Sequence, residues 1–461
     1  MTTIIFILLS FFAFLAYKKL DLAVLLIIAG TPLYLIRGSL LGIPFTLLEG
    51  MILIAFFVWF FIRDGVKIKT LLKKEERTPY PYRLEIIGVL LVSFISVIVA
   101  GLNNTAFGAL KAYFFEPLML FILVINLFSN NEGRKKIIWS LGLSALVISI
   151  FAIYQKITGH FISNPFWAAA ESRRVTSFFE YPNALGLFLA PIIMILSGHL
   201  ISILADKKIK EKLFLLITII LSLLAIFFAR SEGALVAVII GFFIAAILLN
   251  KKTRLSAIMI AVVACLGIFS YEPLRDFTIN KLVLNDLSGQ IRKQQWIETK
   301  KMFAAGHFWL GAGLSNYQKT IVPYHQEGIF LKNNDPDWLE KIRSSEEFRK
   351  QMWQPTEIYL YPHNIFLNFW TELGLLGALL FFWIIVKFLG QSLRLYLTEK
   401  EVTKKYLALG LFAAMLVVVI HGLVDVPYFK NDLSVLFWLF LALLGGLTIK
   451  ENEKNSPENN R

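Results

Sequence analysis

The sequence is poor in cysteine, in charged residues and in nucleotide-binding motifs. Cys265 is the single cysteine among 461 residues, which excludes a disulfide framework and a cysteine-based metal site. Only 17% of the residues are charged, and no glycine-rich phosphate loop is present. The N-terminal stretch, MTTIIFILLSFFAF, lacks the basic segment of a signal peptide and predicts a first membrane span instead.

Long apolar runs make up most of the chain. It is 57% hydrophobic with a mean hydropathy of +0.66, and runs of about 17–25 apolar residues have the length that crosses a bilayer. We therefore expect an all-α, polytopic integral membrane protein with about 12–13 transmembrane helices. The predicted spans lie near residues 3–17, 22–36, 44–62, 84–102, 112–129, 137–157, 184–204, 213–229, 233–249, 255–270, 363–388, 406–424 and 433–449.

The basic residues alternate between the connections. Connections of one parity, together with the C-terminal tail, hold 27 of the 46 lysine and arginine residues. Because basic residues accumulate in cytoplasmic loops, this parity places the N-terminus outside and the C-terminus inside. The same distribution explains the net charge of +14 by membrane topology, with membrane lipids and not nucleic acid as partners.

One connection on the predicted outer side is much longer than the others. Residues 271–362 carry 12 basic and 11 acidic side chains, and loops of this length are translocated whatever their charge. We expect an extracytoplasmic domain of short helices that lies over the membrane. The chain then divides into N-terminal spans (1–157), central spans (158–270), the outer loop (271–362), C-terminal spans (363–449) and a cytoplasmic tail (450–461).

His363 and Asn364 follow Pro362 at the start of an apolar run of about 25 residues. We expect both on the first turn of a membrane-spanning helix, where the helix dipole disfavours imidazolium and free N–H groups attract anions. A neutral imidazole there is able to accept a proton. The alternative is an interfacial histidine that fills a polar slot at a helix start.

Arg230 interrupts an apolar run over 213–249. An unpaired arginine in such a place costs up to roughly 2.5–3.5 kcal/mol, so an anion site is the default interpretation. The alternative is a snorkelling side chain paired with Glu232.

Arg173 and Arg174 are adjacent on a predicted outer connection, which the charge rule keeps poor in cations. They indicate either phosphate binding, which guanidinium groups perform bidentately, or a solvated pair over lipid headgroups. Arg292 in the long loop is a further candidate on the same face. Cations beside a neutral imidazole suit transfer from a phosphate-activated donor, with arginines offsetting leaving-group charge and His363 taking a proton from the attacking hydroxyl.

Two further patterns are weaker. Asp335 and Asp337 match the D-x-D arrangement that holds a divalent ion in many glycosyltransferases, but NNDPDW is more typical of a proline turn with Asx caps. His421 and Asp425, one turn apart, indicate a mutually satisfied pair or a pair that orients a site. We predict no metal site and no cofactor.

Taken together, the spans and motifs resemble the O-antigen ligase and polymerase family of bacterial envelopes. The matching segments are RRVTSFFEYPNALGLFLAP (173–191), ARSEGALVAVIIG (229–241), RKQQWIETKKMFAAGHFWLGAGLSNY (292–317) and HNIFLNFWTELGLLGAL (363–379). The resemblance implies a GT-C-like membrane fold and a metal-independent, inverting glycosyltransferase. Its donor would be an undecaprenyl-diphosphate-linked glycan, and its acceptor a glycan or glycolipid at the outer face of the cytoplasmic membrane.

The resemblance also implies roles for individual residues. His363 corresponds to the proposed base of the family. The corresponding diphosphate or substrate contacts are Arg174, Arg230, Arg292, Arg173, Trp296 and Asn364. The doubling at 173–174 leaves open which arginine is equivalent, and a thirteenth span departs from the 12 described for the family's ligases.

A flippase for lipid-linked oligosaccharides is the competing function, because it also binds a diphosphate. Transporters of that kind place their charged sites near the bilayer midplane between repeated halves. The candidates here lie on one predicted face, which favours the glycosyltransferase. Ligase and polymerase activity both stay open, since they share the donor chemistry and differ in the acceptor.

Overall fold

The structure is a computed structural model that describes residues 2–40, 43–63, 80–333 and 335–448. The predicted tail (450–461) and most of the connection 63–83 lie outside the described residues. Helices form nearly all of the regular structure in the described part, and two short antiparallel pairs supply its strands.

Most of the described connections between the long helices are short, and the exceptions are the stretch between Thr158 and Pro182 and the long loop. They are α1 (Thr2–Lys18), α2 (Leu20–Ala29), α3 (Leu47–Phe57, continued by a π-helix over Val58–Arg63), α4 (Arg83–Val99), α5 (Asn104–Leu127), α6 (Asn131–Thr158), α7 (Pro165–Ala168), α8 (Pro182–Ser202), α9 (Ile209–Ala229), α10 (Glu232–Leu249), α11 (Lys251–Ser270), α12 (Glu272–Leu282), α13 (Leu287–Met302), α14 (Tyr317–Ile321), α15 (Trp338–Ser344), α16 (Glu346–Met352), α17 (Ile365–Thr398), α18 (Val402–Gly422) and α19 (Asn431–Thr448). The strands are β1 (Arg37–Leu40) with β2 (Ile43–Thr46), and β3 (Gly328–Phe330) with β4 (Trp353–Pro355).

Nine helices among the described residues are long and apolar enough to cross a membrane, namely α5, α6, α8 to α11 and α17 to α19. They confirm an all-α, polytopic membrane protein. The other four predicted spans coincide with the shorter helices α1 to α4. The second span, predicted over 22–36, is only ten residues of α-helix, about 15 Å long, because Gly30 and Pro32 convert the chain to a 3-10 turn over Thr31–Leu35.

Helix α8 lies at the centre of the bundle, where it packs against α9, α10 and α18. Gly198 and Gly410 let α8 and α18 approach closely, since a Cβ added at Gly198 would lie 2.8 Å from Cα of Gly410. Small residues at such crossings allow tight packing of membrane helices. Helix α11, in contrast, is hardly packed against the rest of the bundle, because Ala257 is its only buried residue.

The long loop differs in part from the expected domain lying over the membrane. Helices α12 to α16 form the expected short elements, but residues 309–314 pack into a break in α17 at Gly374, where φ is 74°. The N–H of Ala312 donates to the carbonyl of Thr371 at 2.7 Å, and the N–H of Leu375 donates to the carbonyl of Trp309 at 3.0 Å. The loop thus satisfies backbone groups that the break leaves without helical partners.

The orientation rests on charge parity and stays a prediction that cysteine labelling tests. Asn333 in the long loop and Lys207 between α8 and α9 are exposed and lie on opposite predicted faces. In a Cys265→Ala background, a membrane-impermeant maleimide added to intact cells should label Asn333→Cys. Lys207→Cys should react only after the membrane is permeabilised. The reverse pattern would overturn the orientation.

Candidate functional site

His363 lies just before α17 and not on its first turn as predicted. Helix α17 begins at Ile365, and Asn364 is its N-cap, with Oδ1 accepting from the N–H groups of Phe366 and Leu367 at 3.1 Å each. The helix starts later because Asn364 satisfies these groups from an extended backbone conformation. His363 takes the left-handed conformation, with φ of 42°.

Helix α13 holds one side of the imidazole. Nδ1 of His363 lies 2.9 Å from Oε1 of Gln295, and the indole N–H of Trp296 donates to the carbonyl of Pro362 at 2.8 Å. Because the amide oxygen only accepts, Nδ1 carries the proton of the neutral ring and Nε2 keeps its lone pair. Trp296 therefore positions the histidine turn, and Nε2 is the atom of His363 that can accept a proton.

The environment keeps His363 neutral. Burial lowers the pKa of the His363 imidazole below its usual value, while Asp425 raises this pKa and Arg292 lowers it further. The expected neutral ring near pH 7 follows from these effects. The main cause of the lowered pKa is removal of the ring from water, and the positive charge of Arg292 also lowers this pKa.

A polar chain links predicted outer connections that are far apart in sequence. Nε of Arg174 donates to the carbonyl of Ala229 at 3.0 Å, and its Nη2 lies 3.4 Å from Oδ1 of Asn183. Nδ2 of Asn183 donates to Oδ2 of Asp425 at 3.1 Å. Asp425 is buried, and its charge acts on His363. The chain therefore brings Arg174 and His363 into one electrostatic neighbourhood.

Arg230 ends α9 in the left-handed conformation, with φ of 50°, and its side chain is exposed. Glu232, its partner in the snorkelling interpretation, pairs with Lys281 instead at 2.7 Å. No described residue forms an ion pair or hydrogen bond with the Arg230 guanidinium. Burial lowers the pKa of the Arg174 guanidinium, Glu232 opposes this change and Arg230 adds to it. An anion bound between the two arginines would relieve their repulsion.

The two adjacent arginines, Arg173 and Arg174, form different hydrogen bonds. Nη1 of Arg173 donates to the carbonyl of Lys156 at 3.0 Å, and its Nε donates to the carbonyl of Ala168 at 3.2 Å. Arg173 thus caps the C-terminal end of α6. Arg174 is the member of the pair that joins the polar chain leading to Asp425.

Two donors beside the histidine have no partner. Nε of Arg292 and Nε2 of Gln295 are buried and make no hydrogen bond to any described residue. Leaving buried donors unpaired costs about 1–3 kcal/mol each. They are therefore available to oxygen atoms of a ligand that approaches His363.

Lys430 is a candidate that the sequence analysis missed. Its Nζ is buried without a hydrogen-bond partner among the described residues, and it lies 4.6 Å from the ring centroid of Tyr181. The hydroxyl groups of Tyr181 and Tyr361 are 3.1 Å apart, and the ring of Tyr361 is 5.0 Å from that of His363. The available signal was a lysine in a short predicted outer connection, where cations are scarce.

The weaker sequence patterns form local structure. Oδ1 of Asp335 accepts from the N–H of Asp337 at 3.0 Å, as a proline turn with an Asx cap requires. Asp425 accepts from Asn183 and from the backbone N–H of Val426, so its hydrogen bonds do not go to His421. Across the described ranges, no group of three His, Cys, Asp or Glu residues is arranged to hold a metal ion.

The fold is that of a multi-pass membrane protein, and this cluster is a candidate histidine–arginine site at its helix ends. A family model described as O-antigen ligase matches residues 217–382. This match covers about a third of the chain and supports assignment to the O-antigen ligase/polymerase family, as the motifs predicted. It includes Arg230, Arg292, Trp296 and His363, whereas Arg174 precedes it. No curated protein matches the chain.

Arg230→Ala is expected to abolish activity while the protein still inserts and accumulates, because the side chain makes no contact that stabilises the fold. Arg230→Lys should recover only part of the activity, since an ammonium group cannot form the bidentate fork. Surface glycan is measured by gel electrophoresis, and protein in the membrane by immunoblot.

Arg173→Ala is the matched control for this experiment. It removes the cap of α6 and should lower the thermal stability of the solubilised protein, while the folded fraction keeps its activity. Full activity of Arg230→Ala would contradict the assignment of Arg230 to an anion site.

Proposed function

We propose that this protein transfers a glycan from an undecaprenyl-diphosphate-linked donor to an acceptor hydroxyl at the outer face of the cytoplasmic membrane. The main support is His363, whose Nδ1 is engaged by Gln295 and whose Nε2 is free. Arg292, whose buried Nε has no partner among the described residues, lies close enough to lower the pKa of this ring. Ligase and polymerase activity are two forms of this reaction that differ in the acceptor.

The proposed chemistry is a single displacement. The acceptor oxygen forms a bond to the anomeric carbon while its proton passes to Nε2 of His363. The bond between the anomeric carbon and the diphosphate oxygen breaks, and the electron pair leaves with undecaprenyl diphosphate. Because attack and departure occur on opposite sides of the carbon, the anomeric configuration inverts.

Arg174 and Arg230 are the proposed contacts of the departing diphosphate. Guanidinium groups bind phosphate oxygens through paired hydrogen bonds and stabilise the charge that develops on them. The proposal needs no metal ion, since these groups supply the positive charge. Arg292, with its free Nε beside His363, would bind an oxygen of the donor close to the reacting carbon.

Asp425 has a role after proton transfer. Its carboxylate raises the pKa of His363 against the effect of burial, so it stabilises the imidazolium that forms. The hydrogen bond from Asn183 to Asp425 keeps this carboxylate in place. His363 and Asp425 are thus proposed to act as a base and its counter-charge, with Arg292 as the opposing charge.

His363→Gln tests the base directly. Glutamine keeps a polar group of similar reach but takes no proton, so transfer should slow by about two to four orders of magnitude while donor binding survives. Purified protein in liposomes with carrier-linked donor provides the measurement. His160→Gln, at an exposed loop histidine, is the control and should transfer at the wild-type rate.

A near wild-type rate for His363→Gln would show that the base assignment is wrong. Movement of the donor between leaflets by both the wild type and this variant, without glycan transfer by the wild type, would favour the flippase.

The pH dependence follows from the lowered pKa of His363. The neutral ring is the active form, so kcat/KM should rise with pH through an apparent pKa below the free value of about 6.5 and then level off. Bound diphosphate favours imidazolium, so the kcat profile should lie at higher pH than the kcat/KM profile. A rate that falls between pH 5 and 7 would contradict general-base catalysis by this residue.

A further inference from the structure

We propose that a groove between α2 and α6 binds an anionic glycerophospholipid. Three adjoining cavities of about 480, 780 and 770 Å³ form this α2–α6 groove. The first and second cavities share Leu22, Leu25 and Lys136, and the second and third share Leu26, Ala29 and Leu143. The groove is therefore continuous, and it takes no part in the proposed transfer reaction.

Charge and apolar surface are separated along the groove. Its charged residues all line the first two cavities, six of them basic (Lys18, Lys19, Arg63, Lys135, Lys136 and Lys208) and three acidic (Asp21, Glu132 and Glu211). The described residues that line the third cavity are apolar apart from Ser144, and none of them is charged. An excess of three positive charges at one end and an apolar channel at the other match an anionic amphiphile.

Several of the basic side chains are available to a ligand. Lys135 and Lys208 are already paired with carboxylates at 2.8 and 2.6 Å. Lys18 and Lys19 form no ion pair with any described residue, and Lys136 lies 3.9 Å from an exposed carboxylate one turn before it on α6. These three lysines can therefore bind a phosphate without leaving a buried carboxylate unpaired.

The dimensions of the groove suit a lipid that belongs to one leaflet. Along α6, the distance from Lys135 to Ile148 is about 20 Å at a rise of 1.5 Å per residue. Half of the hydrocarbon core of a bilayer measures about 15 Å. The phosphate would lie at the basic end, which is the predicted cytoplasmic end, and an acyl chain would follow the apolar wall. Basic pockets between helices on that side bind anionic headgroups.

The polyprenyl carrier is not the occupant that this arrangement favours. In the proposed reaction its diphosphate lies beside Arg174 and Arg230, at the opposite helix ends. The basic end of the α2–α6 groove would instead receive the phosphate of a cytoplasmic-leaflet lipid.

The first experiment measures the lipids that remain bound to the full-length protein after purification in detergent, by extraction and mass spectrometry. Wild type should retain phosphatidylglycerol or another anionic phospholipid. The triple-glutamine variant is Lys18→Gln/Lys19→Gln/Lys136→Gln. Because each lysine near the headgroup contributes roughly fivefold to the affinity, this variant should bind the lipid about a hundredfold more weakly. Ala29→Trp should also lose the lipid, because its side chain fills the apolar channel while the charges stay. Lys251→Gln/Lys252→Gln, at exposed lysines outside the groove, is the matched control and should retain it.

The second experiment separates the possible sources of the phosphate. Thermal unfolding of delipidated protein is followed with added phosphatidylglycerol, phosphatidylcholine or inorganic phosphate. We expect stabilisation by phosphatidylglycerol alone, and none in the triple-glutamine variant. Equal stabilisation by phosphatidylcholine, or by inorganic phosphate, would overturn the proposal, as would equal lipid retention by the wild type and the triple-glutamine variant.

Discussion

The site depends on hydrogen bonds that join the ends of helices distant in sequence. Arg174 binds the carbonyl end of α9 and reaches Asp425 through Asn183. Nδ2 of Asn364 donates to the carbonyl of Leu423 at 3.1 Å, while the same side chain caps α17. Helix ends leave backbone groups that need partners, above all in a membrane protein. Here the side chains that satisfy them also bring the candidate residues together.

The candidate residues differ in whether their hydrogen bonds are complete. The side chains of Asn364, Trp296 and Arg173 donate hydrogen bonds to backbone carbonyl groups. The positions of these side chains are therefore explained by local structure, without a substrate. Arg230 has no side-chain partner among the described residues, and Nε of Arg292 is buried and unpaired. A ligand with several oxygen atoms would satisfy such groups. The completed bonds fix the geometry, and the incomplete ones mark where the diphosphate is proposed to bind.

Much of the fold follows from the sequence, because spans of about 20 apolar residues and alternating charge are local signals. The same signals placed Arg230, Arg292 and His363 on one predicted face. They did not reveal that residues 309–314 enter the break at Gly374 or that Gln295 holds the imidazole, because both depend on contacts between segments far apart in the chain. The different hydrogen-bond partners of Arg173 and Arg174 could not be predicted for the same reason.

If His363 acts as a base between two opposing charges, removal of either charge should displace the pH profile of the reaction. Asp425 raises the pKa of His363 and Arg292 lowers it. Asp425→Asn should therefore move the kcat/KM profile to lower pH, and Arg292→Gln should move it to higher pH. Asp425→Asn keeps the size and shape of the side chain, whereas Arg292→Gln replaces the charged group by a shorter polar one. We predict that the two variants displace the kcat/KM profile in opposite directions. Profiles that stay at the wild-type position in both variants would show that these two charges do not act on a base at His363.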